Sequence, residues 1–447
     1  MKRIFAGLAV LLLAACGNDS DLPEASGKAT FRAINAVPTA GEVTFRIEER
    51  LIGTMQYKES TASVRFDDLD YTFNFETFYA GDNVLTRFAR QVLDVVADMD
   101  YTFLLSGSLS NPTITIFEDE ERLFEEADTV FEAKFVHASA SMGALDYYFA
   151  DPATPPAPGE QVATLSHLEI SAAADFAEGE YVLTVTTAGD HTDVVYESNS
   201  VQFAPRTTQF ITLFDGDADD TAPLTARALP VSGLPLTMSD QNYPARIEFI
   251  NISLDLGATD IYDDEPLTSL LIGNHDYLDV AAEIEVASGD YTFYYTPTGD
   301  TAAVLLEGLL TVFTGRRYRH YAGGVAGDFG TVVVLPERQP LETMAKLMMF
   351  HGSNNFEFLD LYVVEADAGI ENTVPARFGI PAASQAQNVA LEAGSYDIYI
   401  TEFREDVVLA GPYRIDVVLG DIVDFVAVDT VDPAVLDVLW LSGGPAP

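Results

Sequence analysis

The chain has 447 residues, with 70 Asp and Glu against 23 Lys and Arg, for a formal net charge of −47. A surface of that sign repels nucleic acid and anionic lipid headgroups, which argues against a DNA- or RNA-binding role. Hydrophobic residues at 48% and aromatic residues at 11% are too many for a disordered polyanion, so the acids read as a coat over real cores, in a length that suits three or four domains.

The amino terminus runs Met1-Lys2-Arg3, then an apolar stretch Ile4–Leu13, then Ala14-Ala15-Cys16-Gly17. A cationic start, about ten apolar residues and a small-residue exit predict a secretory signal peptide over 1–15, too short to span a bilayer. Cys16 is the only cysteine, and a lone thiol outside the cytoplasm is best explained by being consumed in chemistry. The Leu13-Ala14-Ala15-Cys16 ending resembles the lipobox of bacterial lipoproteins. That resemblance implies cleavage before Cys16, a diacylglycerol on its sulfur and acylation of the new terminus, making the membrane a partner through lipid. Gly17 stands where aspartate would signal inner-membrane retention in the enterobacterial rule, so the outer membrane is the expected destination, facing periplasm or cell surface. Residues 16–28 read as a lipidated, flexible tether.

From there one phrase is written four times. Its openings are Ala29–Val37, Ala133–Ser139, Ala245–Ser253 and Ala345–Ser353, each an alternating strand that ends on Asn35, His137, Asn251 or His351 before small turn residues. A second strand follows at Val43–Ile47, Leu145–Phe149, Thr259–Tyr262 and Leu359–Val363. A third anchor is a strand built on Tyr71, Tyr181, Tyr291 or Tyr396. Glycine lies two residues before the tyrosine in three copies, and Leu69 takes its place in the first. That spacing looks like the tyrosine corner of Ig-like sandwiches, where the phenol bonds back to the backbone. Late strands (Tyr101–Leu105, Gln209–Phe214, Tyr318–Ala322, Ile422–Val428) and closing strands (Thr113–Phe117, Leu224–Leu229, Thr331–Leu335, Val435–Leu441) complete each copy.

About a hundred residues of short strands per copy, with almost no helical periodicity, predict an all-β chain of four tandem Ig-like antiparallel β-sandwiches. The expected copies span 29–120, 130–230, 244–336 and 344–441, with joints at Glu118–Val130, Pro230–Tyr243 and Pro336–Thr343. They are large enough to fold separately without disulfides, and either an extended row or a compact pairing is compatible with the sequence. The phrases His137-Ala138-Ser139 with Leu145-Asp146-Tyr147-Tyr148, and His351-Gly352-Ser353 with Leu359-Asp360-Leu361-Tyr362, resemble the domain-of-unknown-function family 4397. Asn35 and Asn251 replace the histidine in the other copies, and Thr44 replaces the aspartate in copy one. The resemblance implies an exported Ig-like domain and brings no catalytic residues with it.

The candidate chemistry is thin. None of the six histidines has zinc-site spacing, and a nucleophile elbow, a phosphate-binding glycine loop and a dinucleotide fingerprint are absent from the sequence. Asparagine and histidine share donor and acceptor capacity, so the 35/137/251/351 slot reads as a hydrogen-bonding turn anchor, with metal ligation or base catalysis as the rival role. Asp215, Asp217 and Asp219 sit at positions 1, 3 and 5 of an acidic loop, as in calcium sites, but Asp220 and Ala226 break the EF-hand pattern. Calcium is therefore a candidate cofactor, and a solvated hairpin the default. In the cationic run Arg316–Tyr321, strand alternation sets Arg317 and Arg319 on one face with Tyr321. They are candidates for an anionic glycan, for docking on an acidic neighbouring domain, or for local charge balance. The expected function is a non-enzymatic, lipid-anchored envelope module that binds a protein or glycan partner. An envelope hydrolase or polymer-processing accessory, and a purely structural spacer, are the alternatives.

Overall fold

A computed structural model describes residues 25–82 and 84–444, and among these the chain is built from strands and turns, with no helix. The signal segment, Cys16 and most of the tether lie outside the described residues.

Each copy is two facing sheets. In copy one the first sheet runs Val64–Asp67, Lys28–Asn35, Met99–Gly107, Pro112–Glu120, and the second runs Arg50–Met55, Val43–Ile47, Asp70–Thr77, Thr86–Asp94. The opening, late and closing strands thus share one sheet, while the second and tyrosine strands share the other. Copies two, three and four repeat this plan. One pairing departs from the antiparallel expectation in every copy: the opening and late strands lie parallel, as Phe31 beside Tyr101 and Leu347 beside Val423 illustrate. The chain between them crosses to the other sheet and back, so both strands enter from the same end. We call that end the foot of a sandwich, and the end carrying Asn35 or His137 its head.

Four separate interiors lie between the sheets, each drawn from one copy. Copy one is aromatic, with Phe73 packed against Phe31, Phe45 and Phe103 and the Phe73 and Phe103 centroids 4.4 Å apart. Copy four fills the same space with Leu347, Met349, Leu361, Ile398 and Ile400. Large apolar side chains of this kind stabilise by about 1.5–3 kcal/mol each when fully buried, so each copy holds a core without cross-links.

Two further apolar clusters join copies. Ile34 and Leu104 of copy one meet Val136, Phe210 and Phe214 of copy two. Ile250 and Tyr321 of copy three meet Phe350 and Val426 of copy four, with the Tyr321 and Phe350 rings stacked 4.1 Å apart at 9°. The sheets holding the opening strands are therefore covered on both faces, which explains why His351 and its six predecessors from Ala345 are all buried. Within each pair the copies point the same way. Tyr57 Oη donates to the Asp215 carbonyl at 2.7 Å across the first pair, and Tyr277 Oη donates to the Asp429 carbonyl across the second.

The pairs stack head to foot. Glu342 N donates to the Thr39 carbonyl at 2.9 Å and Ala80 N to the Thr343 carbonyl at 3.0 Å, setting the head of copy one on the foot of copy four. Thr221 N donates to the Gly315 carbonyl at 2.9 Å, setting copy two on copy three. The joint Pro230–Tyr243, read from sequence as a connector, contains a strand, Leu236–Met238, that adds to the edge of copy two. It runs antiparallel to the closing strand, carrying the chain back from foot to head, where copy three begins.

Candidate functional site

The positions of the signature residues decide what they do. Asn35 Oδ1 accepts from Val37 N at 2.9 Å, and Asn251 Oδ1 accepts from Ser253 N at 3.0 Å while its amide donates to the Gly257 carbonyl at 3.0 Å. His137 Nε2 lies 2.8 Å from the Gly143 carbonyl. In these three copies the slot is a turn anchor at the head of the sandwich. His351 fills the slot in copy four fully buried, with neither ring nitrogen hydrogen-bonded among the described residues, and burial pushes its imidazole down to about 4. Ser139 Oγ and Ala140 N cap the Asp215 carboxylate that ends the late strand of copy two, and Ser353 Oγ and Asn354 N do the same at Asp429.

The aspartate of the second strand has a role that sequence reasoning did not assign. Asp260 Oδ1 accepts from Asn274 N and Oδ2 from Gly299 N, both at 2.8 Å, tying the strand on one side to the turn after the tyrosine strand on the other. Asp360 makes the same pair of bonds to Gly379 N and Arg404 N, and Asp146 binds Thr164 Oγ1 and Gly189 N. The tyrosine corner forms in three copies: Tyr181, Tyr291 and Tyr396 donate to the Ala177, Ala287 and Glu392 carbonyls at 3.0, 3.0 and 3.2 Å. Each ring folds over Gly179, Gly289 or Gly394, where a Cβ would lie 3.4–3.9 Å from the ring edge. With Leu69 there instead, Tyr71 makes no such bond and packs edge-on against Phe31 and Phe66.

The acidic loop does not gather its carboxylates around a metal. Burial opposes ionisation of Asp215, but bonds from Ser139, Ser141 and Ala140 N hold its carboxyl below the ordinary range. Asp217 and Asp220 instead close on Lys58 Nζ of copy one at 2.8 and 2.5 Å. Asp219 accepts from Arg338 N, and burial pushes it up to about 6. The cation this loop collects is an ammonium. Among the described residues no group of three or more His, Cys, Asp or Glu is placed to hold a metal ion.

Arg317 and Arg319 share a face as expected and are both committed to neighbours. Arg317 pairs with Glu283, and Arg319 bonds Glu248 at 2.6 Å and, across the pair interface, Asp424 at 2.5 Å. Of the three roles open to them, charge balance and interdomain docking are the ones the geometry fills. Arg316, their neighbour, makes no ion pair among the described residues. It lines a cleft of about 300 Å³ between copies one, two and three, together with Lys58, Arg227, Asp240 and Glu337. A second hollow of about 330 Å³ adjoins it, sharing Thr237, Ser239, Thr314 and Arg316 and adding Asn199, Ser288 and Phe313. Arg227 and Lys58 were not singled out from sequence. Arg227 stands between two core alanines on the closing strand, and that isolated charge in an apolar run was the available signal.

The Domain of unknown function (DUF4397) family matches residues 29–148 and 245–362, more than half of the chain. The chain belongs to this family. Both matches start at an opening strand and end on the second strand of the following copy, so the DUF4397 match restarts with each pair. No curated protein matches the chain by sequence. Among solved structures it is similar to the Bacillus anthracis TIE protein, at 10% identity over 87% of this chain and 68% of that one, TM-score 0.16. It is also similar to CBMbc, a family CBM26 module from Eubacterium rectale Amy13K in complex with maltoheptaose, at 13% identity over 41% of this chain and 91% of that one, TM-score 0.15. At those TM-scores neither likeness bears on function.

Proposed function

We propose that this DUF4397 protein is a lipid-anchored envelope component that acts by binding or scaffolding, without catalysis, for a protein or glycan partner. One observation carries the reading. The signature side chains Asn35, His137 and Asn251, Ser139, and the second-strand aspartates are spent on hydrogen bonds that close turns and tie strands. Recognition then falls to the loops and grooves between copies, as is usual for sandwiches. Lipid on Cys16 would hold the foot of the first pair nearest the membrane and present the head of the second pair outward.

Two experiments test this. Soluble protein beginning at Lys28, immobilised and exposed to solubilised envelope, is expected to retain a specific partner. An eluate identical to the bare-resin control would leave only the spacer role. Cys16→Ser is expected to abolish lipid labelling and accumulate precursor, and unchanged processing would defeat the anchor.

A further inference from the structure

The groove between copies two and three brings two unpaired arginines together. Nearly every acid along it is answered: Asp217 and Asp220 by Lys58, and Glu337 by Lys346. Asp219 accepts from Arg338 N, and Asp240 Oδ1 accepts from Asn242 N at 3.0 Å. Arg317 is neutralised by Glu283. Arg227 and Arg316 are left, and neither guanidinium has an ion-pair or hydrogen-bond partner among the described residues, although acids outnumber bases threefold in the chain. The remaining negative surface acts weakly here, because charges beyond about 8 Å are screened at physiological salt.

The walls between those arginines are hydroxyl-bearing. Thr237, Ser239 and Thr314 line both hollows, and their hydroxyls make no hydrogen bond among the described residues. At the outer end stands Phe313, 59% exposed, with its backbone held by a 2.9 Å bond from its N–H to Tyr318 Oη. Two unneutralised guanidiniums suit a carboxylate, spare hydroxyls suit a polyol, and an exposed ring suits a sugar face.

From these we infer that the groove binds an acidic carbohydrate chain, with Arg227 and Arg316 on a uronate carboxylate, Thr237, Ser239 and Thr314 on ring hydroxyls, and Phe313 under a sugar face. The assignment rests on the binding-module reading and gives it a ligand class. The test is calorimetric titration of the soluble chain with galacturonate hexamer and, in parallel, with neutral maltohexaose. Saturable binding of the uronate with at least tenfold weaker binding of the glucan is expected. Arg227→Gln with Arg316→Gln should reduce uronate affinity tenfold or more at unchanged melting temperature, and Phe313→Ala several-fold. No saturable uronate binding, equal binding of both sugars, or full binding by the double variant would overturn the site. A partner captured in the pull-down while the uronate fails would remove this site and leave the binding-module reading standing.

Discussion

Single residues in matching slots act as built-in controls for one another. Tyr181→Phe removes the bond to the Ala177 carbonyl, whereas Tyr71→Phe removes no such bond. The first change should cost about 1 kcal/mol and the second close to nothing, read as the difference in melting temperature between variants. His351 offers a pH counterpart. Its folded value lies near 4 because burial disfavours the charged ring, with the Asp429 charge opposing that shift, while unfolded histidine titrates near 6.5. The unfolded chain therefore takes up the proton first. Stability is complete above about 6.5 and is lost as the pH falls toward 4, by roughly 2–3 kcal/mol from this residue. Asparagine already fills the slot in copies one and three, so His351→Asn should flatten that part of the acid limb in melting curves from pH 7 to 4. His320, also pushed down to about 4 by burial, should leave a residual slope. An unchanged curve would mean that the ring is not titrating in the buried slot.

At the scale of strands, Asp260 and Asp360 stand where the register with the neighbouring strand shifts, and their paired bonds hold the edge strand and the turn across that irregularity. Asp260→Ala leaves Asn274 N and Gly299 N without their acceptor. The expected cost is about 2–3 kcal/mol, whereas Thr44→Ala in copy one, which loses neither bond, should cost far less in the same denaturation experiment. These strands also mark how much could be read in advance. Their order, the tyrosine corner with its weak first copy, and the turn role of the Asn/His slot in copies one to three all follow from spacing within a few residues, whereas His351 in the same slot makes no side-chain hydrogen bond among the described residues. Alternation also set Arg319 with Tyr321 on one face and His320 on the other, where it now packs on Phe249 and Phe293. The parallel pairing and the second aspartate bond depend on strands that meet only after the chain has crossed between sheets, so local pattern carried no trace of them. The opening strands did carry a clue: consecutive apolar residues such as Met348-Met349-Phe350 mark a strand covered on both faces. The free arginines were hidden for a similar reason, since being unpaired is a property of the assembled surroundings.

Across the whole molecule, the working unit is two sandwiches rather than one. The interface within the second pair depends on Arg319, which bonds Glu248 and Asp424 while nearly buried. Burial raises the Asp424 carboxyl, and the nearby Arg319 charge opposes that rise. Removing the guanidinium strands a buried carboxylate, so Arg319→Ala should cost about 3–5 kcal/mol and expose the Tyr321–Phe350 stack to limited proteolysis. Arg319→Ala with Asp424→Ala together should recover part of that loss. A single variant as stable as the parent would show that copies three and four do not rely on this contact. The short strand Leu236–Met238 has a wider implication. By returning the chain to the upper end before a new pair starts, it makes the joint an insertion point: another two-sandwich block spliced there would dock on its neighbours through surfaces that already exist. Growth by duplication should then proceed in doublets, lengthening the stalk one storey at a time, and longer relatives are expected to carry even numbers of modules.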